Sequence, residues 1–178
     1  MTILFTSDTH YMHGNIIKYC NRPFADREVM TKALIDNWNA VVSQQDTVYH
    51  LGDVSFCGDV ETKEILDQLN GTIILMIGNH DRNIRKHLNS RYGGRFAEIH
   101  TGQITVELDG QSVMMSHYPV YDRDFINAGG WMLHGHCHGT MEPRLYRMLD
   151  VGVDSHKFKP ITLQEVSGIM STRTTVLR

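Results

Sequence analysis

From Gly71 to Asp81 the sequence reads Gly-Thr-Ile-Ile-Leu-Met-Ile-Gly-Asn-His-Asp, an apolar run that ends abruptly in polar residues. The five apolar residues Ile73 to Ile77 predict a strand that is buried on both faces. Gly78 ends the strand and indicates a sharp turn or a close approach of the backbone to another group. Ligands of open α/β folds bind beyond the carboxyl ends of the strands. The candidate functional residues at this strand end are therefore Asn79, His80 and Asp81.

A second interpretation of the same stretch is purely structural. Asn79 or Asp81 would then only cap a short helix from Arg82 to Leu88. Four other apolar runs in the chain also end in metal-binding or proton-transferring side chains, which favours the functional interpretation.

Composition and charge restrict the class of protein. The 178 residues are 41% hydrophobic, which is enough for a core, and this length predicts one domain covering residues 1–178. The net charge of −3 gives no general attraction to nucleic acid, so we expect no nucleic-acid-binding surface. Three cysteines do not make a disulfide framework and fit a reducing cytosol. We see neither a signal peptide nor a membrane-spanning run, and therefore expect a cytoplasmic protein without membrane contact.

The first half of the chain alternates between strand and helix patterns. Ile3-Leu4-Phe5 predicts the first strand, and residues 46–51 predict the second. Asp26 and Asp59 are expected to cap the two intervening helices. With the strand at Ile73 to Ile77, the order is βαβαβ, which predicts right-handed crossovers and a parallel sheet.

After residue 95 the pattern changes to that of a half-buried sheet. Apolar and polar residues alternate over residues 103–109, which is typical of a strand with one face in the core. Asp109-Gly110 is a two-residue hairpin signal, and Val113-Met114-Met115 is the expected returning strand. Two further strands are predicted at Trp131–Leu133 and Arg147–Val153.

Side chains able to bind metal ions follow these strands. In an extended chain, residues two apart point the same way, so Asp8 and His10 are expected to converge after the first strand. The complete set is Asp8, His10, Asp53, Asn79, His80, His117, His136 and His138. Such oxygen and imidazole donors suit Mn, Fe, Zn or Ni rather than a structural zinc–thiolate site. The set is too large for one tetrahedral ion and suits two ions about 3.5–4 Å apart, bridged by one carboxylate.

Five blocks of the sequence, in order, resemble the motif series of the calcineurin-like metallophosphoesterases. These blocks are Asp8-x-His10, Gly52-Asp53, Gly78-Asn79-His80-Asp81, His117 and Gly135-His136-x-His138. The opening Ser7-Asp8-Thr9-His10-x-x-His13-x-Asn15, together with Arg22-Pro23-Phe24, is also similar to short prokaryotic and phage-type members. The resemblance implies an α/β fold of two packed, mixed β-sheets flanked by helices, an αββα sandwich.

The resemblance also implies a role for each block. The ligands that it implies for one divalent ion are Asp8, His10, Asp53 and His138. The ligands that it implies for a second ion are Asn79, His117 and His136, together with Asp53 as the bridge. His80 would face the substrate phosphate, and Asp81 behind it would hold its imidazole in the working orientation.

Several other residues are secondary candidates. His50 and His134 are expected to support the ligands from behind, and Cys137 is expected to be a packed thiol. His13 is a candidate phosphate contact near the site. Guanidinium groups match phosphate geometry in a bidentate manner, although most arginines are only solvated. The arginines considered for phosphate binding are Arg22, Arg82 and Arg144.

The sequence therefore predicts a metal-dependent phosphoesterase in which a hydroxide between two divalent ions attacks phosphorus. A small phosphodiester or nucleotide is the favoured substrate, because a compact domain without appended parts leaves the site open. The alternatives are a phosphomonoesterase with the same site, a nuclease, or a scaffold that has lost catalysis. A nuclease would require a basic stripe or an added domain, and a scaffold would have lost ligands; the sequence shows neither.

Overall fold

The computed structural model describes residues 1–88, 90–141 and 146–174. The first β-sheet is built from β1 Ile3–Thr6, β2 Thr47–His50, β3 Thr72–Met76, β4 Phe96–His100 and β9 Ile161–Thr162. Its spatial order is β4-β3-β2-β1-β9. Strands β1, β2 and β3 are parallel, as the βαβαβ pattern predicts. Two strands that the sequence did not predict complete the sheet, because β4 pairs in parallel with β3 and β9 runs antiparallel to β1.

The second β-sheet is built from β5 Gln103–Leu108, β6 Gln111–Ser116, β7 Trp131–His134 and β8 Met148–Asp150, in that spatial order. Strands β5 and β6 form the predicted antiparallel hairpin, with Leu108 opposite Gln111. Asp109 and Gly110 between them have φ values of 50° and 79°, as a tight two-residue hairpin turn requires. Strand β7 then pairs in parallel with both β6 and β8.

Six α-helices flank the two sheets over the described ranges. They are α1 Gly14–Tyr19, α2 Arg27–Val41, α3 Asp59–Leu66, α4 Arg82–His87, α5 Arg123–Asn127 and α6 Leu163–Ser171. Asp26 caps α2 as predicted, because its carboxylate accepts a hydrogen bond from the Val29 amide at 2.7 Å. No helix in the described part of the chain has the length and apolar character needed to cross a membrane.

Alternating side chains along the strands form the apolar layers. In β3, Ile73 and Leu75 pack in one cluster with side chains of α2 and α3, whereas Ile74 packs in the cluster between the two sheets. In β6, Met115 also contributes to this intersheet cluster, whereas Met114 packs with Ile126 of α5. The molecule is therefore the predicted αββα sandwich of two mixed sheets.

A helix cap in the first half and a strand end in the second half also differ from the sequence prediction. Asp59 does not cap α3; Gly58 holds the N-cap position, and the Asp59 carboxylate accepts a hydrogen bond from the Tyr92 hydroxyl instead. The last strand of the second sheet ends at Asp150, because the chain turns through a 3₁₀-helix at Val153–Ser155.

The ends of the strands place the candidate functional residues together. Parallel strands β1, β2 and β3 end at one edge of the first sheet, and backbone hydrogen bonds join the loops that follow β1 and β2. The Asp8 amide donates to the Gly52 carbonyl at 2.9 Å, and the His10 amide donates to the Asp53 carbonyl at 3.0 Å. The Gly135 amide donates in the same way to the His117 carbonyl in the second sheet, at 3.0 Å.

Candidate metal centre

Asp53 lies at the centre of a compact cluster of polar side chains. One half of the cluster contains Asp8, His10 and His138, and the other contains Asn79, His117 and His136. The Asp53 Oδ2 atom is 3.6 Å from His10 Nε2 on one side and 3.5 Å from His117 Nε2 on the other. In the first half, Asp8 Oδ1 lies 3.9 Å from Nε2 of His10 and 3.9 Å from Nε2 of His138. Asp8, His10 and His138 can thus all point one ligand atom at a common position.

The second half of the cluster gathers around Asn79. Its Oδ1 atom is 2.8 Å from His117 Nε2 and 3.1 Å from His136 Nδ1. Asp8, Asp53 and His117 can also each direct one ligand atom to a shared position. The structure therefore brings together all seven side chains of the predicted ligand set, in two groups that meet at Asp53.

Two buried polar atoms indicate that a cation fits this cluster. Asp8 Oδ1 and His10 Nε2 are both buried and have no hydrogen-bond partner among the described residues. An unpaired buried polar atom costs about 1–3 kcal/mol, so both atoms would be stabilised by a cation between them. The hard-oxygen and imidazole chemistry of the set agrees with this fit.

The protonation of His117 supports the same conclusion. Its Nδ1–H donates to the Leu51 carbonyl at 2.8 Å, and burial lowers the pKa of the ring to about 4. The neutral ring therefore presents the lone pair of Nε2 towards Asn79 Oδ1 and Asp53 Oδ2. Three electron-pair donors that face one another are the arrangement expected around a metal ion.

The backbone of the candidate ligands is strained rather than extended. Asp8, His10, Asp53, His136 and His138 have φ values between 46° and 67°, in the left-handed region. The expectation that Asp8 and His10 converge through extended geometry is therefore wrong, although the two side chains do converge. Such conformations cost on the order of 1–3 kcal/mol each and persist where the surrounding structure enforces them, commonly at functional sites.

Two glycines allow the loops to approach the carboxylates. A Cβ atom on Gly78 would overlap the Asp53 carboxylate, and a Cβ atom on Gly135 would overlap Ser7 and the Asp8 carboxylate. The close backbone approach predicted at Gly78 is thus observed, with Asp53 as the neighbour. Any larger side chain at these positions would displace a candidate ligand.

Asp81 supports the loops and does not orient His80, which corrects the sequence prediction. Its Oδ2 accepts hydrogen bonds from the amides of Asp53 and Gly78, and its Oδ1 accepts one from Val54, all at 2.8 Å. Both oxygens are therefore engaged by backbone donors. This buried carboxylate ties the loop after β2 to the loop after β3.

Arg22 has a similar supporting role, and the prediction that it binds phosphate is wrong. The side chain is buried, and its five N–H groups donate to Asp154, Met30 and the carbonyls of Asp8 and Thr9. No donor remains for a phosphate. Asp154 in turn accepts a hydrogen bond from His138 Nδ1 at 2.7 Å, which directs Nε2 of that ring towards Asp8.

The remaining candidates have different environments. His80 is half-exposed, with Nε2 at 4.0 Å from Asp53 Oδ2, and its amide donates to Asp53 Oδ1 at 2.8 Å. His13 lies beside the cluster, with its Nδ1 at 3.4 Å from His10 Nδ1. Arg82 is exposed at the start of α4, directly after the loop that carries Asn79 and His80. Arg144 lies outside the described residues.

The two histidines expected behind the ligands contact loop backbone. His50 accepts a hydrogen bond from the Gly52 amide at 3.2 Å and lies 3.0 Å from the Thr9 hydroxyl. His134 donates from Nδ1 to the Gly135 carbonyl at 2.9 Å. Both are buried next to residues that flank candidate ligands. Of the two, His50 contacts both of the loops that follow β1 and β2.

Sequence reasoning missed Asp154 and Cys20. Cys20, His138 and Asp154 can bring one ligand atom each to within 4.8 Å of one another. The Asp154 oxygens are already engaged by Arg22 and His138, so this group is held together by hydrogen bonds. Asp154 follows the last strand of the second sheet, and this position at a strand exit was the signal that could have revealed it.

Comparison with known proteins agrees with this geometry. Residues 1–148 match the sequence profile of the calcineurin-like phosphoesterase superfamily domain. The chain belongs to this superfamily. An uncharacterized protein of Methanocaldococcus jannaschii is 38% identical over 171 residues, which cover 90% of this chain and 86% of that protein. The gene 66 protein of Mycobacterium phage L5 is 29% identical over 180 residues, with coverages of 85% and 86%.

A solved structure shares the calcineurin-like fold. A protein of unknown function from Aquifex aeolicus superposes with a TM-score of 0.73 and 26% sequence identity, covering 94% of this chain and 98% of that chain. Members of the superfamily are phosphoester hydrolases and typically bind divalent metal ions. Among the described residues, the His and Asp groups above could hold such ions.

Two candidate ligands of the cluster have a raised pKa. Burial raises the pKa of Asp8 to about 8, although the charge of His138 opposes this effect. Burial alone would lower the pKa of His138, but hydrogen bonds with Asp154 and Cys20 and the charge of Asp8 raise it to about 10. Both groups are therefore protonated near neutral pH, while Asp8 Oδ1 and His138 Nε2 face each other.

Metal binding should release protons and should become tighter as the pH rises. A cation between Asp8 and His138 requires both groups to be deprotonated, so raising the pH removes a competitor of the ion. We expect release of about one to two protons per protein near pH 7, and stronger binding at about pH 8 than at about pH 6. Calorimetric titration with Mn²⁺ in buffers of different ionisation enthalpy measures this number. Metal binding without proton release, with an affinity that does not change with pH, would contradict this prediction.

Asp81→Asn should destabilise the fold and weaken metal binding. The amide can accept at only one oxygen, so its NH₂ group would face a buried backbone N–H, at a cost of about 1–3 kcal/mol. Urea denaturation and metal analysis measure the two effects. Asp122→Asn is the matched control, because Asp122 caps α5 and asparagine caps equally well. If Asp81→Asn kept normal stability and metal content and lost only turnover, the prediction that Asp81 orients His80 would be correct after all.

Proposed function

We propose that this chain is a dinuclear metal-dependent phosphoesterase that hydrolyses a small phosphodiester or nucleotide. The position of Asp53 Oδ2 between His10 Nε2 and His117 Nε2, at 3.6 Å and 3.5 Å, is the observation that carries the proposal. One carboxylate oxygen at nearly equal distances from two groups of ligands suits a bridge between two cations. Two divalent ions, when bound, would lower the pKa of a water molecule and neutralise charge on the phosphoryl oxygens.

Each half of the cluster would hold one ion. The residues proposed for the first ion are Asp8, His10, Asp53 and His138. The residues proposed for the second ion are Asp53, Asn79, His117 and His136. Mn, Fe, Zn and Ni all suit these nitrogen and oxygen donors, so the chemistry of the set permits each of them.

The supporting residues would fix the spacing of the two ions. Asp53 Oδ1 accepts a hydrogen bond from the His80 amide at 2.8 Å, so Oδ2 is the oxygen left for the shared position. Asp154 and the Leu51 carbonyl hold the rings of His138 and His117 by their Nδ1 atoms, which leaves each Nε2 for a cation. Preorganised ligands of this kind bind ions without a further cost of ordering the side chains.

His80 is the proposed proton donor. Its imidazole is half-exposed, and its Nε2 lies 4.0 Å from Asp53 Oδ2, so it borders the space that a substrate phosphate would enter. From this position Nε2 would hold a proton and transfer it to the leaving oxygen. Contacts of His13 and Arg82 with the phosphate remain part of this proposal.

Activity should depend on two equivalents of a divalent ion. After removal of metal with a chelator, we expect no hydrolysis, and we expect activity to return as Mn²⁺, Fe²⁺, Zn²⁺ or Ni²⁺ is added to saturation. The substrates to compare are bis-p-nitrophenyl phosphate and p-nitrophenyl phosphate, with Asp53→Asn as the inactive control. Full activity at one equivalent would contradict the dinuclear proposal. Preference for the monoester would identify a phosphomonoesterase instead.

His80→Ala should lower turnover by about 10²–10⁴-fold, as expected for loss of a positioned proton donor. Metal content should not change, because His80 is outside the proposed ligand set. A p-nitrophenolate leaving group requires little protonation, so its hydrolysis should decrease less than that of an alkoxide ester. His100→Ala, which removes a histidine on β4 paired with Glu98, is the control. If His80→Ala lowered turnover equally for both leaving groups, His80 would bind the phosphate and would not donate a proton. If the variant lost an ion, His80 would be a metal ligand.

A further inference from the structure

Two exposed aromatic rings border the candidate metal centre, one beside each half. Phe56 is 43% exposed, and its ring centroid lies 5.7 Å from that of His10 and 4.8 Å from that of His80. Tyr118 is 48% exposed, and its ring centroid lies 4.5 Å from that of His136 and 5.1 Å from that of His117. We call Phe56 and Tyr118 the aromatic pair.

The two rings differ in how their faces are used. Phe56 stacks on His13, with 3.7 Å between centroids and 7° between planes. The planes of His136 and His117 make angles of 57° and 75° with the Tyr118 ring, so neither imidazole stacks parallel to it. Nearly half of the Tyr118 side chain is exposed at the edge of the cluster, and no parallel ring among the described residues occupies its stacking position.

Tyr118 is also held in position by its place in the chain. It directly follows His117, whose ring is fixed by the Leu51 carbonyl, and it directly precedes Pro119. A residue before proline is restricted to extended backbone conformations. A tyrosine side chain has only two χ angles, so little conformational freedom is lost when it binds a ligand.

An exposed aromatic ring beside the proposed phosphate position favours one class of substituent. A planar π system stacks on such a ring, and base stacking of this kind is worth about 5- to 150-fold in affinity per base. An alkyl or sugar group gains no such stacking. Nucleotides combine a phosphate and a planar base in one molecule.

We propose that Tyr118 stacks on a nucleobase of the substrate, and that Phe56, supported by His13, borders the same site from the other half. The enzyme would then act on phosphate esters that contain a nucleoside. This inference rests on the proposed phosphoesterase function, because it places the phosphate of the nucleotide at the metal centre.

Binding of a nucleotide and of its base-free counterpart tests the proposal without turnover. Calorimetry on the metal-loaded protein would compare AMP with ribose 5-phosphate, in which a hydroxyl group replaces the base. We expect AMP to bind at least about tenfold more tightly, within the range for one stacked base. In Tyr118→Leu this preference should fall to within about threefold of unity, with ribose 5-phosphate binding unchanged. Phe56→Leu should give a smaller decrease.

Three controls separate stacking from damage to the centre. Tyr118→Phe keeps the ring and should retain the preference for AMP. Tyr19→Leu removes a ring on α1 that is 73% exposed, and should also have no effect. Metal content, measured for every variant, should equal that of the wild type. Equal binding of AMP and ribose 5-phosphate by the wild type, or an undiminished preference in Tyr118→Leu, would overturn the proposal.

Hydrolysis distinguishes this proposal from the function on which it rests. We expect a dinucleotide to be cleaved more efficiently than a glycerophosphodiester, and Tyr118→Leu to remove most of the difference. Equal cleavage of both esters, unaffected by Tyr118→Leu, would overturn the base-binding site and leave the phosphoesterase intact. Absence of hydrolysis with every ester and metal would overturn the phosphoesterase, whereas the comparison of AMP with ribose 5-phosphate would still decide whether a base is bound.

Discussion

The buried carboxylate of Asp53 is the group on which the rest of the site depends. One of its oxygens is fixed by the His80 amide, while the other lies between His10 and His117. The absence of a side chain at Gly78 leaves room for this carboxylate, because a Cβ atom there would overlap it. In the proposed function, the oxygen between His10 and His117 is the one that two cations would share, and the other candidate ligands lie around it.

Keeping the carboxylate there requires a strained backbone, and the fold compensates for that strain elsewhere. Five candidate ligands have left-handed backbone conformations, which are unfavourable for residues other than glycine. Hydrogen bonds between the loops, the Asp81 carboxylate and the Arg22 guanidinium hold these conformations in place. Arg22 and Asp81 are therefore buried polar residues whose hydrogen bonds go to the loops. Neither directs a donor or an acceptor towards a substrate.

The sequence was sufficient to predict β1 to β3, the hairpin and the strand ends that carry the candidate ligands, because these depend on local patterns. The apolar run at Ile73 to Ile77 and the hairpin signal at Asp109-Gly110 are examples. Strands β4 and β9 were not predicted, since each is short and lies at an edge of the first sheet. The roles of Arg22 and Asp81 could not be predicted, because they depend on contacts between loops that are distant in the chain. The left-handed conformation of Asp8 and His10 is enforced by tertiary hydrogen bonds and has no local signature. Asp154 was missed because its partner Arg22 lies 132 residues earlier.

The most direct test of a shared Asp53 is crystallographic. Crystals loaded with Mn²⁺ and measured at the manganese absorption edge would locate each ion by its anomalous signal. The account predicts two peaks about 3.5–4 Å apart, with Asp53 Oδ2 between them, one peak beside Asp8 and His138 and the other beside Asn79 and His136. A single peak at full loading, or two peaks of which only one contacts Asp53, would contradict it.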